Sequence, residues 1–270
     1  MYPFAYHRAQ SVAQATELLG AQTDARPLAG GQSLVASMKL RLSDPVALID
    51  LGGIDSLKGI EILDGRVRIG SMTRHAEVAA DSRVRRTLPS LAALAGGIGD
   101  RMVRNMGTVG GSVANNDPAA DYPCAVLALD AHIVTNQRTI AADAFFVGMF
   151  ETALKPGELI IALEFRVPRR GAYMKYRNPA SRYAVVGVYV ADFGDTVRVA
   201  VTGAGPKVFR LMQAEAALGA DFSARALAGI RLDPQGLNAD IHASAEYRAE
   251  MVMVMANRAL ERALAEPASW

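Results

Sequence analysis

Ala29-Gly30-Gly31-Gln32-Ser33 and Gly107-Thr108-Val109-Gly110-Gly111-Ser112 are the two stretches on which the reading of this chain turns. A diphosphate needs several backbone N–H donors close to its oxygens, and glycines permit that approach because they lack Cβ and accept positive φ. Ser33 falls where a helix should start, so its hydroxyl and the orphan N–H groups of the first turn can add donors, favoured by the helix dipole. The second stretch offers the same chemistry with two hydroxyls, and Asn115, Asn116 and Asp117 follow it closely. Neither reads G-x-G-x-x-G or ends in the Lys-Ser/Thr of a P-loop. A dinucleotide held in some other way is the ligand class this pattern favours.

Working outward, Arg26 to Ala29 reads as a strand before the first glycine turn, and Leu34 to Leu42 as the helix after it. Ahead of them, Ser11-Val12-Ala13-Gln14 fits a capping box opening a helix over about 11–19, with Gly20 placed to end it in a left-handed conformation. Val46–Asp50 and Arg66–Gly70 look like strands, and residues 84–99 like one helix ending in Gly96-Gly97-Ile98-Gly99. Leu159–Phe165 is a strand closed by Pro168, and Arg169-Arg170-Gly171 is the best domain boundary. Beyond it, Tyr183–Phe193, a turn at Gly194-Asp195 and Thr196–Thr202 form a hairpin, followed by helical sequence and a long amphipathic helix over about 243–265. The class is α+β, ending in a small sheet with helices.

Composition narrows the function. The chain has 270 residues, 51% of them hydrophobic and 21% charged, which is enough apolar material for a sizeable core and too much for disorder. A formal net charge of +2, without blocks of like charge, gives no sign of nucleic acid or a membrane surface. The single cysteine, Cys124, excludes a disulfide framework and a cysteine-ligated iron–sulfur cluster within these residues. No secretory signal or membrane span is visible, so a cytoplasmic protein is expected.

Several segments together resemble the FAD-binding medium subunit of molybdenum hydroxylases, the group of xanthine dehydrogenase and carbon monoxide dehydrogenase. The carriers are Arg26–Ser33 and Arg104–Ser112, continued by Asp117–Pro123, Pro156–Ile160, Val201–Pro206 and Ser244–Arg248. The resemblance thus covers essentially the whole chain. It implies a two-subdomain FAD-binding fold of the para-cresol-methylhydroxylase type over residues 1–170, split near 55, followed by a C-terminal domain over 171–270.

It also implies the site. Arg26, Pro27, Leu28, Ala29, Gly30, Gly31, Gln32, Ser33 and Leu34 would form the first cofactor-binding segment, and Thr108, Gly110, Gly111 and Ser112 the second. Within them, Ala29 to Ser33 and Thr108 to Gly111 would hold the pyrophosphate. Asp121 would bind ribityl or adenosine hydroxyls, with Ile160 and Lys175 near the cofactor. Tyr183 occupies the place where the carbon monoxide dehydrogenase branch sets an aromatic ring against one face of the isoalloxazine; from the residues alone it is equally a strand residue at a domain interface. Gln32 stands where many relatives have histidine, and Ser112 where asparagine is frequent, which leaves backbone-mediated binding intact.

The function so implied is electron transfer: FAD in this chain takes electrons from a [2Fe–2S] cluster on a small partner and passes them to NAD, a quinone or oxygen. A large partner would carry the molybdopterin cofactor, the simplest assembly being a dimer of heterotrimers. No catalytic acid–base set is expected, since the cofactor does the redox chemistry. A self-sufficient FAD-dependent oxidoreductase of the same fold is the alternative, and a flavin-free scaffold a third reading. Cys124, the four scattered histidines (His7, His75, His132, His242) and the stripe Met251–Met255 read as structural. Arg101 and Arg104, flanking the second loop, could offset a diphosphate or belong to a solvated face.

Overall fold

The computed structural model describes residues 1–265; the last five residues of the expected C-terminal domain lie outside the described ones. The chain opens with β1 (Ala5–Arg8), α1 (Val12–Ala21), β2 (Ala25–Leu28), α2 (Leu34–Lys39) and β3 (Ala47–Asp50), a right-sized set for a small parallel sheet with crossover helices. The strand order is β1-β3-β2, with Ala5 opposite Ala47 and Leu28 opposite Asp50. Ser11 caps α1 through its hydroxyl, and the Gln14 amide oxygen accepts from the N–H of Gln10, one residue further out than a standard box.

Two expected boundaries move here. Gly20 stays inside α1, which runs to Ala21 and leaves through an extended Gln22; the left-handed residue of the turn into β2 is Asp24, at φ 66°. α2 stops at Lys39 rather than Leu42, since Arg41 at φ 60° turns the chain away.

The middle of the chain supplies β4 (Ile60–Leu63), β5 (Arg66–Gly70), α3 (His75–Ala80), α4 (Ser82–Thr87), α5 (Pro89–Gly96), α6 (Arg101–Met106), α7 (Val109–Asn115), α8 (Asp121–Ala128), β6 (His132–Thr135), β7 (Thr139–Ala141), β8 (Phe146–Gly148), β9 (Glu151–Thr152) and β10 (Ile160–Arg166). The antiparallel sheet runs β4-β5-β10-β6-β7, and a core including Val67, Leu91, Leu129 and Phe165 joins it to its helices. The single helix expected over 84–99 is two: Asp81 caps α4 by accepting from Arg83 and Val84, and Pro89, which has no N–H to donate, starts α5.

The rest is β11 (Arg170–Arg177), β12 (Ala184–Asp192), β13 (Val197–Thr202), β14 (Phe209–Arg210), α9 (Met212–Ala220), α10 (Ala224–Leu227) and α11 (Ala245–Ala265). The sheet order is β11-β12-β13-β14, with the expected hairpin between β12 and β13. β12 is an unbroken apolar run because both faces are covered. Val186, Val188 and Val190 pack with α11 and α9, while Tyr189 and Ala191 join the core of the middle segment. Within the stripe on α11, Val252 and Met255 are buried and Met251 and Met253 pack on the same core, whereas Val254 faces solvent, so the structural reading holds for four of the five.

Candidate functional site

The first glycine stretch leaves the C-terminal end of β2 and meets the second head on. A Cβ on Gly30 would lie 2.2 Å from the Met106 carbonyl oxygen and 2.7 Å from Gly107 Cα, and one on Gly111 would lie 3.2 Å from Ala29 Cβ. The missing side chains therefore let the two backbones touch. Gly31 sits at φ +69°, the left-handed region that glycine tolerates. Among the described residues, the N–H groups of Gly30, Gly31, Gln32 and Ser33 donate no hydrogen bond within the chain, and the Ser33 hydroxyl does not cap α2. A row of unengaged donors thus lies at a cleft of about 540 Å³, within the usual range for small-molecule sites.

The second stretch is built differently. Thr108 caps α7, its hydroxyl accepting from the N–H of Gly111 at 3.1 Å. Val109 donates to the Thr73 carbonyl at 3.0 Å, Gly110 to Ser71 at 2.8 Å and Ser112 to Thr108 at 3.0 Å. Val109 and Gly110 thus hold the loop against the β5–α3 turn, and Gly111 and Ser112 are engaged by Thr108, so this stretch offers fewer free N–H donors than the first. A Cβ at 110 would strike Ser71 Cβ at 2.4 Å, and one at 107 would strike His75 Nε2 at 2.7 Å. Thr108, Gly110, Gly111 and Ser112 nonetheless line the cleft.

Every residue from Arg26 to Leu34 lines the same cleft, as do Ile160, Asp121 and Tyr183. Lys175 does not; it stands behind Asp121, with Nζ donating to Oδ2 at 2.8 Å. Tyr183, 43% exposed, arrives just before β12, on a tight loop in which the Asn178 amide oxygen accepts from Ala180 and Ser181. Burial raises its phenol pKa, helped by Asp117 and Asp121. Burial also lifts the carboxyl of Asp117 against the hydrogen bond from the Ala119 N–H. Arg26 and Arg182 put cations on the cleft wall, whereas Arg104 is spent on the carbonyls of Ile98 and Gly99 at 2.8 and 3.2 Å and Arg101 is solvated.

Sequence reasoning missed Ser71, Met72 and His75 on the β5–α3 turn, and Arg182. His75, expected to be merely structural, is 4% exposed, borders the cleft and lies 5.2 Å from the Tyr122 ring. Burial first, and Arg104 second, push its pKa down to about 4, so its ring is neutral at pH 7. No spacing or motif marks these residues; Ser71 and His75 are betrayed only by their approach to Gly110 and Gly107.

The donor set suits an anionic, hydroxylated ligand with flat apolar parts. Free amides and Ser33 fit a diphosphate, Arg182 and Arg26 its charge, and Leu34, Met72, Ile98 and Leu154 the rings.

Known proteins point the same way. A family model, the FAD binding domain in molybdopterin dehydrogenase, matches residues 2–170. The carbon monoxide dehydrogenase medium chain of Hydrogenophaga pseudoflava is 36% identical over 284 residues, covering 97% of each chain. The nicotine 6-hydroxylase medium subunit of Paenarthrobacter nicotinovorans is 35% identical over 274 residues, covering 96% of each. The fold superposes on carbon monoxide dehydrogenase from Hydrogenophaga pseudoflava lacking the Mo-pyranopterin moiety of its molybdenum cofactor, with a TM-score of 0.89 and 35% identity over 99% of this chain and 100% of that one.

Proposed function

The chain belongs to the family of FAD-binding domains of molybdopterin dehydrogenases, and from that premise we propose that it conducts electrons between an iron–sulfur partner and an external acceptor. It is a flavoprotein oxidoreductase subunit, the medium subunit of a molybdenum hydroxylase-type complex. The small partner carries [2Fe–2S] clusters and the large one molybdopterin, the whole forming a dimer of heterotrimers that delivers electrons to NAD, a quinone or oxygen. Residues 1–170 are the FAD-binding part, with halves meeting near 55, and 171–270 a C-terminal domain.

The single observation that carries this reading is the row of unengaged amides from Gly30 to Ser33, set against the second glycine stretch in one cleft. Ala29 to Ser33 hold the diphosphate through those amides, and Thr108 to Gly111 form the wall it rests on. Asp121 accepts from ribityl or adenosine hydroxyls, Tyr183 covers a ring face, Ile160 packs beside it, and Lys175 acts through Asp121. Bound FAD supplies a centre that accepts and releases one or two electrons. The protein's share is binding, orientation and shielding, and the neutral ring of His75 keeps an extra cation off the cleft wall at pH 7.

The test is the absorption spectrum of the chain purified from its native host, followed by anaerobic reduction with candidate substrates and identification of copurifying bands. Flavin bands with iron–sulfur absorbance and two partner chains are expected. Flavin in a single chain that a substrate bleaches would replace this reading with the self-sufficient oxidoreductase.

A further inference from the structure

Asp121 is the first residue of α8; its side chain is 5% exposed, yet it stands on the cleft wall. Both carboxylate oxygens are held from behind. Tyr173 Oη donates to Oδ1 at 2.5 Å, and Lys175 Nζ donates to Oδ2 at 2.8 Å. Tyr173 and Lys175 are two residues apart on β11, so strand alternation sends both to one face. Across the sheet Lys175 pairs with Gly187. A Cβ at 187 would lie 2.3 Å from Tyr173 Oη and 2.9 Å from its Cζ. Glycine at that position is what leaves the phenol room to reach Asp121.

An ionised carboxylate has about four acceptor sites, and two are taken here. Resting on the proposal that Asp121 meets the hydroxyls of FAD, we infer that Tyr173, Lys175 and Gly187 are positioning residues that fix the Asp121 carboxylate as an acceptor for a polyhydroxylated group of the cofactor. Burial raises the pKa of this carboxyl, and Lys175 and Tyr173 limit that rise without reversing it. A protonated Asp121 would present a donor where the ligand needs an acceptor.

The experiment titrates FAD into the full chain freed of flavin, read by quenching of flavin fluorescence, with the thermal midpoint of each flavin-free variant measured beside it. Asp121→Asn is expected to weaken binding about tenfold or more, and Tyr173→Phe about three- to tenfold. In the Asp121→Asn background Tyr173→Phe should cost nothing further, because Tyr173 works only through the carboxylate. Lys175→Arg should restore most of the affinity that Lys175→Met loses, and Gly187→Ala should match Tyr173→Phe without adding to it. Should Gly187→Ala fail to fold, Tyr173→Phe, which removes one oxygen, decides alone. Unchanged affinity in Tyr173→Phe, or an equal loss with and without Asp121, overturns the inference. Wild-type chain that binds no FAD overturns the functional reading beneath it, which is a different result.

Discussion

Gly30→Ala adds one methyl group at the point where the two glycine stretches meet. Its Cβ would lie 2.2 Å from the Met106 carbonyl oxygen and 2.7 Å from Gly107 Cα, both backbone atoms that no rotamer change can move aside. An ordinary carbon–oxygen contact is about 3.3 Å, so the loops must part by ~1 Å. Overpacking of that kind costs about 1–3 kcal/mol. In a chain of this length that lowers the thermal midpoint by roughly 2–5 °C. Parting the loops also misplaces the free amides of Gly30 to Ser33, so FAD affinity should fall at least about tenfold. Gly20→Ala is the control: nothing lies within 4 Å of that Cβ and its φ is not positive, so helix propensity predicts about 0.5–1 kcal/mol of added stability and unchanged FAD binding. Thermal denaturation of flavin-free protein and an FAD titration measure both. A Gly30→Ala chain with wild-type midpoint and affinity would refute the argument that this glycine exists for loop–loop contact.

Other perturbations test other parts of the structure. His75 is depressed from 6.5 to about 4, so the unfolded chain takes up a proton at pH values where the folded chain does not. Its contribution is complete above about pH 6.5 and is lost as the pH falls toward 4, roughly 3 kcal/mol in all. Urea denaturation of wild type and His75→Phe across that window should give slopes differing by about 1.4 kcal/mol per pH unit. Glu158 is held at about 2, chiefly by Arg138, with Lys155 N–H and Thr135 assisting, so NMR titration of Arg138→Met should find its carboxyl moved back up toward 4.5. Arg248, 4% exposed, donates to the carbonyls of Val185 and Gly203 and to Asp240, so Arg248→Met should cost about 2–4 kcal/mol in the same denaturation assay. Arg248→Lys should not recover it, since one ammonium cannot span those three acceptors.

The sequence reveals the ligand class more readily than it reveals each residue's task. Periodicity located six of the fourteen strands among the described residues, as where Val67 and Ile69 alternate with Arg66 and Arg68 and where β12 is continuously apolar. The rest escaped it, including β1, β4, β6 and β11, most of which are short or lack a clear alternation. It merged α4 and α5, where Asp81 and Pro89 are stronger signals than the apolar spacing. The glycines were visible as glycines, but identical residue types serve opposite ends. Gly31 is needed for its dihedral, Gly30 for a neighbouring backbone, Gly110 for Ser71. Such distinctions depend on partners dozens of residues away. His75, Ser71 and Arg182 were illegible for the same reason: their place at the cleft comes from the β5–α3 turn and from a loop of the C-terminal sheet, not from local pattern.

The motifs beyond the glycines make sense as one interlock, and that bears on how far the site extends. The family match ends at residue 170, yet the segment after α7 is gripped by the later sheet. Thr202 donates to the carbonyls of Pro118 and Ala120 at 2.9 and 2.7 Å, Gly203 N–H to Pro118 at 2.8 Å, and Ala184 N–H to Ala119 at 3.2 Å. Arg248 in turn clamps the carbonyls of Val185 and Gly203. Tyr189, Phe193 and Val208 belong to the same core as Leu91 and Phe165, and Tyr189 Oη donates to Ser90 at 2.5 Å. A chain cut after residue 170 would therefore bare that core, leave the buried Asp121 without Lys175, and lose Ser181 to Tyr183 from the cleft. An unpaired buried carboxylate and several uncovered large side chains exceed the ~5–15 kcal/mol that holds a domain folded. Such a fragment is expected to lack a cooperative thermal transition and near-UV circular dichroism and to bind no FAD. Cooperative unfolding together with FAD affinity within about threefold of the full chain would show instead that residues 1–170 form the site unaided, and that the C-terminal contacts to Asp121 are incidental to it.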